Sequence, residues 1–388
     1  MRFILYISFV LFLAPDVYLI GAFLKKKPLI WRILFLLPTI LGVLSVIVLL
    51  FNVKANFIIT VFMVMLVCFA LPKLLLVFFL LIAKLLGLWS KTASSIVKVI
   101  GILMACIVVV IGIYGLAFGW KKLETVYVDL YFDSLPESFD GYRIAHLSDL
   151  HLGTYGDETD FVEKIVRCVN EEHPDMIVFT GDIVNRRLAE LNPFVPILSQ
   201  LSAPDGVISV LGNHDYCLYD NRKNWPDVFE GSRMVAAAER SMGWEALLNE
   251  SVIVNRGEDR IAVAGVGYSG KSSLLQNTDI KAAVSGVTDY GSNKSVDDIF
   301  TILLLHDPSR WRLDVLPKTH IPLTLSGHTH GAQFKIGKWS PMCWMYKEWG
   351  GLYQLDNQQI YVSEGLGGMM PFRFGSVPQV VMLTLHCK

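Results

Sequence analysis

The sequence predicts a protein of two parts, an N-terminal α-helical membrane region over residues 1–120 and an α/β domain over residues 121–388. Three observations support this division. Hydrophobic residues make up 53% of the chain and charged residues only 18%, and the excess of apolar residues lies in the first 120 positions. After residue 120, apolar stretches alternate between strand-like and helix-like spacing. Polar side chains follow where several of these stretches end, which is typical of a layered α/β domain.

The N-terminal region contains four apolar stretches that are each long enough to cross a bilayer, which takes about 20 apolar residues. They are Phe3–Leu24, Leu29–Phe51, Phe57–Leu88 and Ile96–Gly119. The first has only Arg2 before it and no small-residue cleavage pattern after it, so we interpret it as a retained helix rather than a signal peptide. The third contains Pro72 and Lys73 and is too long for one perpendicular span, which predicts a tilted or kinked helix.

Basic residues indicate how these spans are oriented, because cytoplasmic loops carry more lysine and arginine. The richer loops hold Lys25, Lys26, Lys27, Arg32, Lys84, Lys91 and Lys98. The opposite side holds Arg2, Lys54, Lys121 and Lys122. The chain is therefore predicted to be a multi-pass protein of the cell membrane whose C-terminal domain lies outside the cytoplasm. A miscounted third span would reverse this orientation.

Two ionisable residues, Asp16 and Lys73, interrupt the apolar stretches. Charged groups in lipid are costly and usually find a partner or a polar cavity. Two interpretations remain open from the sequence: the two side chains pair with each other, or each snorkels or lines a polar gap separately.

The remainder of the chain predicts alternating strands and helices. The stretch VYVDLYF (residues 126–132) alternates as a strand does, and a turn at Asp140–Gly141 precedes the next strand. The stretch FVEKIVRCVNEE (residues 161–172) places its apolar residues on one helical face. Further strands are predicted in PDMIVFTGD, VISVLGNHD, TILLLHDP and LTLSGHTHG, and each is followed by polar side chains.

The polar side chains at these strand ends form one candidate set. It comprises Asp149, His151, Asp182, Asn213, His214, His306, His328 and His330, and includes five of the nine histidines. Residues two apart on a strand point to the same side, so Asp149 and His151 are expected to project together, as are His328 and His330. Carboxylate, imidazole and amide groups without sulfur suit Mn, Fe, Zn or Mg. The set exceeds what one ion needs, which predicts two divalent ions.

Five short motifs in this order resemble the blocks of calcineurin-like metallophosphoesterases: SDLHLG, GDIVN, GNHD, LLLHD and GHTHG, within residues 148–331. The C-terminal stretch YVSEGLGGMMPFRFGSVPQ is similar to the membrane-associated branch of that family, which includes cell-envelope phosphodiesterases and UDP-diacylglucosamine hydrolases. The resemblance implies a four-layer α-β-β-α metallophosphoesterase sandwich. Ala332 departs from the glycine that is commoner in the last motif, a small change expected to matter little.

The resemblance also implies a role for each residue. One ion would be held by Asp149, His151, Asp182 and His330. The other would be held by Asp182, Asn213, His306 and His328. A hydroxide shared by the two ions would attack the phosphorus, His214 would protonate the leaving oxygen, and Asp215 would orient His214. Asn185 and Arg373 are weaker candidates for substrate contacts, and an ordinary surface arginine is the alternative for Arg373.

The function predicted is that of a membrane-anchored, two-metal phosphoesterase. Its substrate would be a phosphorylated compound with a phosphodiester or pyrophosphate bond, of the cell envelope or linked to a lipid, with the bilayer as a second partner. A catalytically silent metal-binding scaffold or sensor is the alternative, although none of the seven ligands is missing. A transporter is less economical, because the spans hold few polar residues. The net charge of −1 gives no indication of nucleic acid, and none is expected as a partner.

Some residues near these motifs have simpler interpretations. His146 lies on an apolar strand and is predicted to be a core residue, and Cys217 is predicted to pack. Disulfides remain open for Cys168, Cys217, Cys343 and Cys387. Trp339, Trp344, Tyr346 and Trp349, in WSPMCWMYKEWGG, predict either a rim at the membrane interface or a packed loop.

Overall fold

The structure, a computed structural model, describes residues 2–50, 56–220, 227–269, 276–285 and 299–388. The chain divides into two units. The helical unit comprises Met1–Trp120 with Met370–Phe374, and the α/β unit comprises Lys121–Met369 with Gly375–Lys388.

The described residues of the helical unit form five α-helices. They are α1 (Arg2–Leu19), α2 (Leu29–Leu50), α3 (Asn56–Met65), α4 (Leu71–Leu86) and α5 (Lys91–Ala117). In the part of the chain that the structure describes, three apolar helical segments are long enough to span a membrane: Leu29–Leu49, Phe57–Leu86 and Lys91–Lys121. A shorter apolar helix covers Val10–Leu24, where α1 continues through a π-turn. Membrane association is therefore supported, and the count of four spans stays a prediction.

The third apolar stretch has the irregularity that its sequence predicts. Helices α3 and α4 form one helical segment joined by a π-turn, Leu66–Ala70, which ends two residues before Pro72. Proline lacks an N–H and clashes with the carbonyl four residues earlier, and a π-turn relieves this conflict. The segment Phe57–Leu86 has 30 residues. At 1.5 Å per residue it is about 45 Å long, more than the roughly 30 Å of a hydrocarbon core.

Asp16 and Lys73 form an ion pair, which confirms the first of the two interpretations. Lys73 Nζ lies 2.7 Å from Asp16 Oδ1, and Asp16 is fully buried. The Thr39 hydroxyl donates a hydrogen bond to the other Asp16 oxygen. Lys73 Nζ also donates to the Phe35 carbonyl oxygen at 3.3 Å and lies 4.2 Å from the centre of the Phe35 ring. We call Asp16, Phe35, Thr39 and Lys73 the helical polar cluster.

The α/β unit contains twelve strands and four α-helices among its described residues. The strands are β1 (Glu124–Phe132), β2 (Tyr142–Leu147), β3 (Met176–Phe179), β4 (Val207–Ser209), β5 (Glu245–Ala246), β6 (Glu250–Arg256), β7 (Asp259–Gly265), β8 (Thr301–Leu304), β9 (Leu323–Ser326), β10 (Gly351–Leu355), β11 (Gln358–Val362) and β12 (Gln379–Cys387). The helices are α6 (Asp160–Glu171), α7 (Val195–Leu198), α8 (Glu230–Ser241) and α9 (Ile280–Ser285). The predictions of a strand at 126–132 and a helix at 161–172 are confirmed by β1 and α6.

The strands form two six-stranded sheets. The first has the order β1-β12-β2-β3-β4-β5, and the second has the order β10-β11-β9-β8-β7-β6. Strands β2, β3 and β4 are parallel neighbours in the first sheet. Strands β7, β8 and β9 are parallel neighbours in the second. Parallel neighbours end at the same edge, so the loops that follow them in each sheet converge.

The main core lies between the two sheets. Ile144 and Val178 of the first sheet share one buried cluster with Val263 and Ile302 of the second. Neighbouring residues on the second sheet point the other way, as strand geometry requires. Leu303, for example, joins a separate buried cluster that includes Trp311 and is packed against by Ile280 of α9. Helix α6 likewise buries a continuous apolar face, which includes Phe161 and Ile165. The predicted α-β-β-α sandwich is confirmed.

Candidate metal and catalytic site

The candidate site lies where five strands end. Asp149 and His151 follow β2, Asp182 follows β3, and Asn213 and His214 follow β4; His306 follows β8, and His328 and His330 follow β9. Both sheets therefore contribute side chains to it. Asp149, His151, Asp182 and His306 are at most 2% exposed, whereas His328 and His330 are partly exposed. The site is buried at its base and open on the side of the last two histidines.

These side chains form three overlapping groups, each with its possible ligand atoms within 4.8 Å of one another. The groups are Asp149 with His151 and His330, His151 with Asp182 and His214, and Asp182 with His306 and His328. Asp182 belongs to two of them. Its Oδ2 lies 3.6 Å from His151 Nε2 and 3.2 Å from His306 Nε2. A carboxylate between two imidazoles has the lone pairs needed to contact two cations at once.

Imidazole nitrogens crowd together in this cluster. His151 Nε2 lies 3.2 Å from His330 Nε2, and His328 Nδ1 lies 3.2 Å from His306 Nε2. His330 Nε2 also lies 3.4 Å from Asp149 Oδ1. Nitrogen and oxygen lone pairs that converge in this way are the donor set that divalent transition metals prefer.

Asn213 provides a second test of whether the site fits a cation. Its Nδ2 donates to the Tyr219 hydroxyl at 3.2 Å. The other terminal atom of the side-chain amide is therefore the oxygen, Oδ1. That oxygen is buried and has no hydrogen-bond partner among the residues that the structure describes. A buried polar atom without a partner is costly, and an amide oxygen is a good ligand for hard cations. The residues present therefore fit a divalent metal.

The backbone at this site is strained. Five of the predicted ligands have positive φ angles, namely Asp149 (55°), His151 (49°), Asp182 (60°), His328 (74°) and His330 (52°). A non-glycine residue in such a region costs of order 1–3 kcal/mol and persists only where its surroundings impose it. The sequence-based expectation that these residues project together from a strand is therefore wrong in its geometry. They lie beyond the strand ends and converge through left-handed turns.

Two glycines allow the loops to approach one another closely. A Cβ on Gly212 would lie 2.2 Å from Asp182 Oδ1 and 2.6 Å from His306 Cε1. A Cβ on Gly327 would lie 2.3 Å from Asp149 Oδ2. Any side chain at either position would displace a candidate ligand.

Outer contacts orient the candidate ligands. His306 Nδ1 donates to the Thr180 carbonyl oxygen at 2.6 Å, which leaves Nε2 facing Asp182. The Ser148 hydroxyl donates to Asp149 Oδ2 at 2.6 Å. Such contacts fix the tautomer of a histidine and the rotamer of a carboxylate. No motif marks Ser148 or Thr180, although each directly follows an apolar strand, Ser148 next to Asp149 and Thr180 two residues before Asp182.

Tyr346 is a further contact whose role the sequence did not predict. Its hydroxyl lies 3.0 Å from His328 Nε2, so His328 presents its Nδ1 to the cluster. Tyr346 was predicted only as part of an aromatic rim. No local pattern connects it to a histidine in a different loop.

The contact predicted between Asp215 and His214 is not the one that the structure shows. His214 Nδ1 donates to the backbone oxygen of Asn185 at 2.5 Å. The Asp215 carboxylate instead accepts backbone N–H groups from Asp182 at 2.7 Å, Ile183 at 2.9 Å and Gly212 at 2.9 Å. Asp215 therefore ties the loops after β3 and β4 together, and the Asn185 backbone orients His214.

The two weaker substrate candidates lie in different places. The Asn185 side chain is 4% exposed and donates to the Thr154 hydroxyl at 2.8 Å. Arg373 is fully buried in a segment that belongs to the helical unit, and its backbone N–H donates to the Gly115 carbonyl oxygen at 3.2 Å. Their contact with a substrate stays a prediction.

The electrostatics of the cluster follow from burial and close opposite charges. Burial acts to raise the pKa of Asp182, but the imidazoles around it, chiefly His306, hold that pKa well below its usual range. Burial acts to lower the pKa of His306, but the Asp182 carboxylate raises it to about 10. For Asp215, burial and then the Asp182 charge raise the pKa to about 7. These shifts arise because carboxylates and imidazoles lie close together, and such groups bind a cation in their deprotonated forms.

The simpler predictions for neighbouring residues are supported. His146 is fully buried, its Nε2 lies 2.9 Å from the Thr180 hydroxyl, and burial lowers its pKa to about 3. Cys217 is buried, and all six cysteines are free thiols. In the aromatic stretch, Trp339 and Trp344 are 41% and 77% exposed, whereas Trp349 is half-buried.

Comparisons with a family model and with individual proteins agree on one family. A family model described as calcineurin-like phosphoesterase matches residues 142–332. The Bacillus subtilis protein named uncharacterized metallophosphoesterase YkuE is 30% identical over 262 residues, which are 65% of this chain and 81% of that protein. An uncharacterized metallophosphoesterase of Aquifex aeolicus is 29% identical over 66% of this chain and 89% of its own length.

A further relative is named as a transmembrane protein. The Danio rerio protein named transmembrane protein with metallophosphoesterase domain is 31% identical over 294 residues, which are 73% of this chain and 62% of that protein. None of these three relatives is named as a UDP-diacylglucosamine hydrolase, so that part of the resemblance stays a prediction. The chain belongs to the calcineurin-like phosphoesterase family, whose members bind divalent metals and hydrolyse phosphoric esters.

Proposed function

We propose that this chain is a membrane-anchored hydrolase that uses two divalent ions to cleave a phosphodiester or pyrophosphate bond in a cell-envelope or lipid-linked substrate. The observation that carries the proposal is the position of Asp182. Its carboxylate lies between His151 and His306, which belong to different groups of candidate ligands. A single buried carboxylate shared in this way is what a pair of neighbouring cations requires.

The ligand sets follow from this shared position. Asp149, His151, Asp182 and His330 would hold one ion, and Asp182, Asn213, His306 and His328 would hold the other. The donors are nitrogen and oxygen only, which suits Mn, Fe, Zn or Mg. When bound, such ions activate water near neutral pH and offset the charge of the phosphoryl oxygens. The complete ligand set favours an enzyme over a silent scaffold or sensor.

His214 is the residue best placed to move a proton. Because its Nδ1–H donates to the Asn185 backbone oxygen, its Nε2 remains to give a proton to the leaving oxygen. Its backbone N–H donates to Asp182 Oδ1 at 2.8 Å, and its ring lies 4.7 Å from that of His151. The imidazole is therefore held in one orientation beside the seven proposed ligands, which we call the ligand cluster. Asn185 and Asp215 act as positioning residues.

The test is hydrolysis by the purified full chain in detergent, first stripped of metal and then given Mn, Fe, Zn or Mg. We expect at least one ion to restore turnover of bis(p-nitrophenyl) phosphate. Asp182→Asn should lower that turnover by about a thousandfold, because it removes the charge shared by both ions. Asp356→Asn is a matched control, since Asp356 also has a positive φ, 51°, but is exposed in the turn between β10 and β11. Full activity in Asp182→Asn, or no activity with any ion, would contradict the proposal.

The orientation proposed for the membrane region places the α/β unit outside the cytoplasm. It rests on the lysine and arginine asymmetry of the loops. A reporter that is active on only one side of the bilayer, fused after Lys388, tests it. Activity on the cytoplasmic side would reverse the orientation and would favour a nucleotide-linked lipid pyrophosphate as the substrate.

A further inference from the structure

A group of large apolar side chains is exposed on the α/β unit beside the candidate site. It lies within residues 336–346, which we call the aromatic lobe. Its exposed members are Ile336 (56%), Trp339 (41%), Trp344 (77%) and Met345 (73%). Single exposed apolar residues are normal on a soluble surface, but several large ones within one short segment indicate a surface that contacts a partner.

The lobe is ordered by its own hydrogen bonds. Ile336 and Trp339 exchange two backbone hydrogen bonds, at 2.9 and 3.1 Å, and the rings of Trp339 and Trp344 meet edge to face at 5.6 Å. The Ser340 hydroxyl donates to the Gly331 carbonyl oxygen at 2.7 Å and accepts from the Met342 N–H at 3.1 Å. The apolar side chains are therefore held outward by a defined backbone.

Lysine residues lie within the aromatic lobe and directly on either side of it. Residues 334–347 include Lys335, Lys338 and Lys347 and no aspartate or glutamate. Lys338 and Lys347 are exposed, whereas Lys335 forms an ion pair with Glu364. Tryptophan beside lysine is the composition that prefers the headgroup region of a bilayer, where the ring enters the interface and the ammonium meets lipid phosphates.

The lobe is joined directly to the candidate site. Tyr346, at the end of the lobe, contacts His328 Nε2 at 3.0 Å. The hydrogen bond from Ser340 holds the backbone of Gly331, which follows His330. His328 and His330 are also the partly exposed members of the ligand cluster. The open side of the site and the aromatic lobe are therefore neighbouring parts of one surface.

We propose that the aromatic lobe inserts into the headgroup region of a bilayer that contains anionic lipids, and that the adjacent site hydrolyses a phosphoester carried by a lipid of that bilayer. The second half of this proposal rests on the proposed function. A bilayer is favoured over a second copy of the chain or another protein because the described chain contains three apolar helical segments long enough to span a membrane, and only residues 118–123 separate α5 from β1. A link this short limits the distance between the end of α5 and the start of β1.

The first experiment requires no catalysis. The full chain is reconstituted into phosphatidylcholine and phosphatidylglycerol vesicles with or without brominated acyl chains, and tryptophan emission is recorded. The same measurement on Trp339→Phe/Trp344→Phe isolates the emission of these two residues from that of the other tryptophans. We expect this difference emission to be quenched by the brominated chains. If it is not quenched, the membrane contact is overturned, and a Cys343–Cys343 crosslink between chains would then identify a second copy as the occupant.

The second experiment measures turnover in the same vesicles. A lipid phosphodiester in the bilayer, phosphatidylglycerol, and soluble bis(p-nitrophenyl) phosphate are compared for the wild type and Trp344→Ser/Met345→Ser. We expect turnover of the lipid to fall about tenfold or more, because the apolar contact that holds the site at the interface is lost. Turnover of the soluble substrate should stay within about twofold. Leu313→Ser is the matched control, since Leu313 is 60% exposed outside the lobe.

The two experiments separate the possible failures. Equal turnover of the lipid by variant and wild type, or equal losses on both substrates, overturns the assignment of the substrate class. A wild type that cleaves neither substrate overturns the proposed function and this assignment with it. The quenching result still decides whether the lobe contacts the bilayer.

Discussion

The ligand cluster of the α/β unit and the helical polar cluster are both buried groups of ionisable side chains, but they are balanced differently. In the helical polar cluster, one carboxylate meets one ammonium at 2.7 Å, and Thr39 and Phe35 supply the remaining contacts. In the ligand cluster, several imidazoles and carboxylates converge, with pairs of ring nitrogens 3.2 Å apart. The charges of the first group are paired with each other, whereas the second includes a buried amide oxygen, Asn213 Oδ1, that has no hydrogen-bond partner among the described residues.

The backbone shows the same difference. The helical polar cluster lies on regular helices, and none of its residues has a positive φ. The ligand cluster uses left-handed turns at five positions, each of which costs free energy of order 1–3 kcal/mol. Left-handed residues also occur in ordinary turns, as at Asp356, so the backbone alone does not identify a site. Five such residues that also converge their possible ligand atoms support the proposal that the second cluster carries the chemistry, whereas the first is a structural ion pair.

The largest effect is expected from His214→Ala, which removes the proposed proton donor but no proposed metal ligand. Turnover should fall by about a hundredfold to ten-thousandfold, with metal content unchanged. His320→Ala is the control, because His320 is exposed away from the cluster. A variant that keeps wild-type turnover would leave His214 without its catalytic role.

The next effect concerns the helical polar cluster. Lys73→Met should lower the stability of the helical unit by about 3–5 kcal/mol, because it leaves the Asp16 charge buried without its partner. Asp16→Asn combined with Lys73→Met should recover most of that loss, and activity per folded molecule should not change. Thermal unfolding in detergent measures the loss, and Lys84→Met, at an exposed lysine of α4, is the control. If the folded double variant lost activity, this cluster would share in the chemistry and the comparison would fail.

Tyr346→Phe should have a smaller effect that is specific to the ligand cluster. It removes the hydroxyl that contacts His328 Nε2 and should weaken metal affinity by about tenfold. Metal titration measures this affinity. Tyr127→Phe is the control, because it also removes a hydrogen-bonded hydroxyl, which donates to Glu172 at 2.5 Å. An unchanged affinity would show that His328 does not need this contact.

The smallest effect is the contribution of His146 to pH-dependent stability. Burial lowers the pKa of His146 from 6.5 to about 3, so between these values the unfolded chain binds a proton that the folded chain does not. Stability should therefore fall as the pH falls below 6.5, by up to about 1.4 kcal/mol per pH unit from this residue. His146→Phe should remove that part of the slope in thermal unfolding between about pH 7 and pH 5. An equal slope in both proteins would contradict the assignment.

Much of the fold and the identity of the candidate ligands could be predicted from local sequence. Alternating apolar residues mark β1, an apolar helical face marks α6, and polar residues directly after apolar strands mark the site. These signals are local, because each depends on residues within one strand, helix or loop. The pairing of Asp16 with Lys73 was open in the sequence for the opposite reason, since it depends on which helices are neighbours.

The features that the sequence did not predict depend on contacts between distant loops. Asp215 directly follows His214, which suggested that it orients that imidazole, yet its carboxylate accepts N–H groups from the loop after β3. The left-handed backbone at Asp149 and His151 is imposed by hydrogen bonds to that same loop, from Asp149 N–H to Gly181 O and from His151 N–H to Asp182 O. Such contacts depend on how the loops meet, which no single motif contains.

The most direct test of the account is the number of metal ions bound by the purified full chain. Elemental analysis after equilibration with the activating ion should give two ions per chain for the wild type. His330→Ala and His328→Ala should each give one, because each removes a ligand from a different proposed ion. One ion in the wild type, or two in both variants, would contradict a pair of sites that share Asp182.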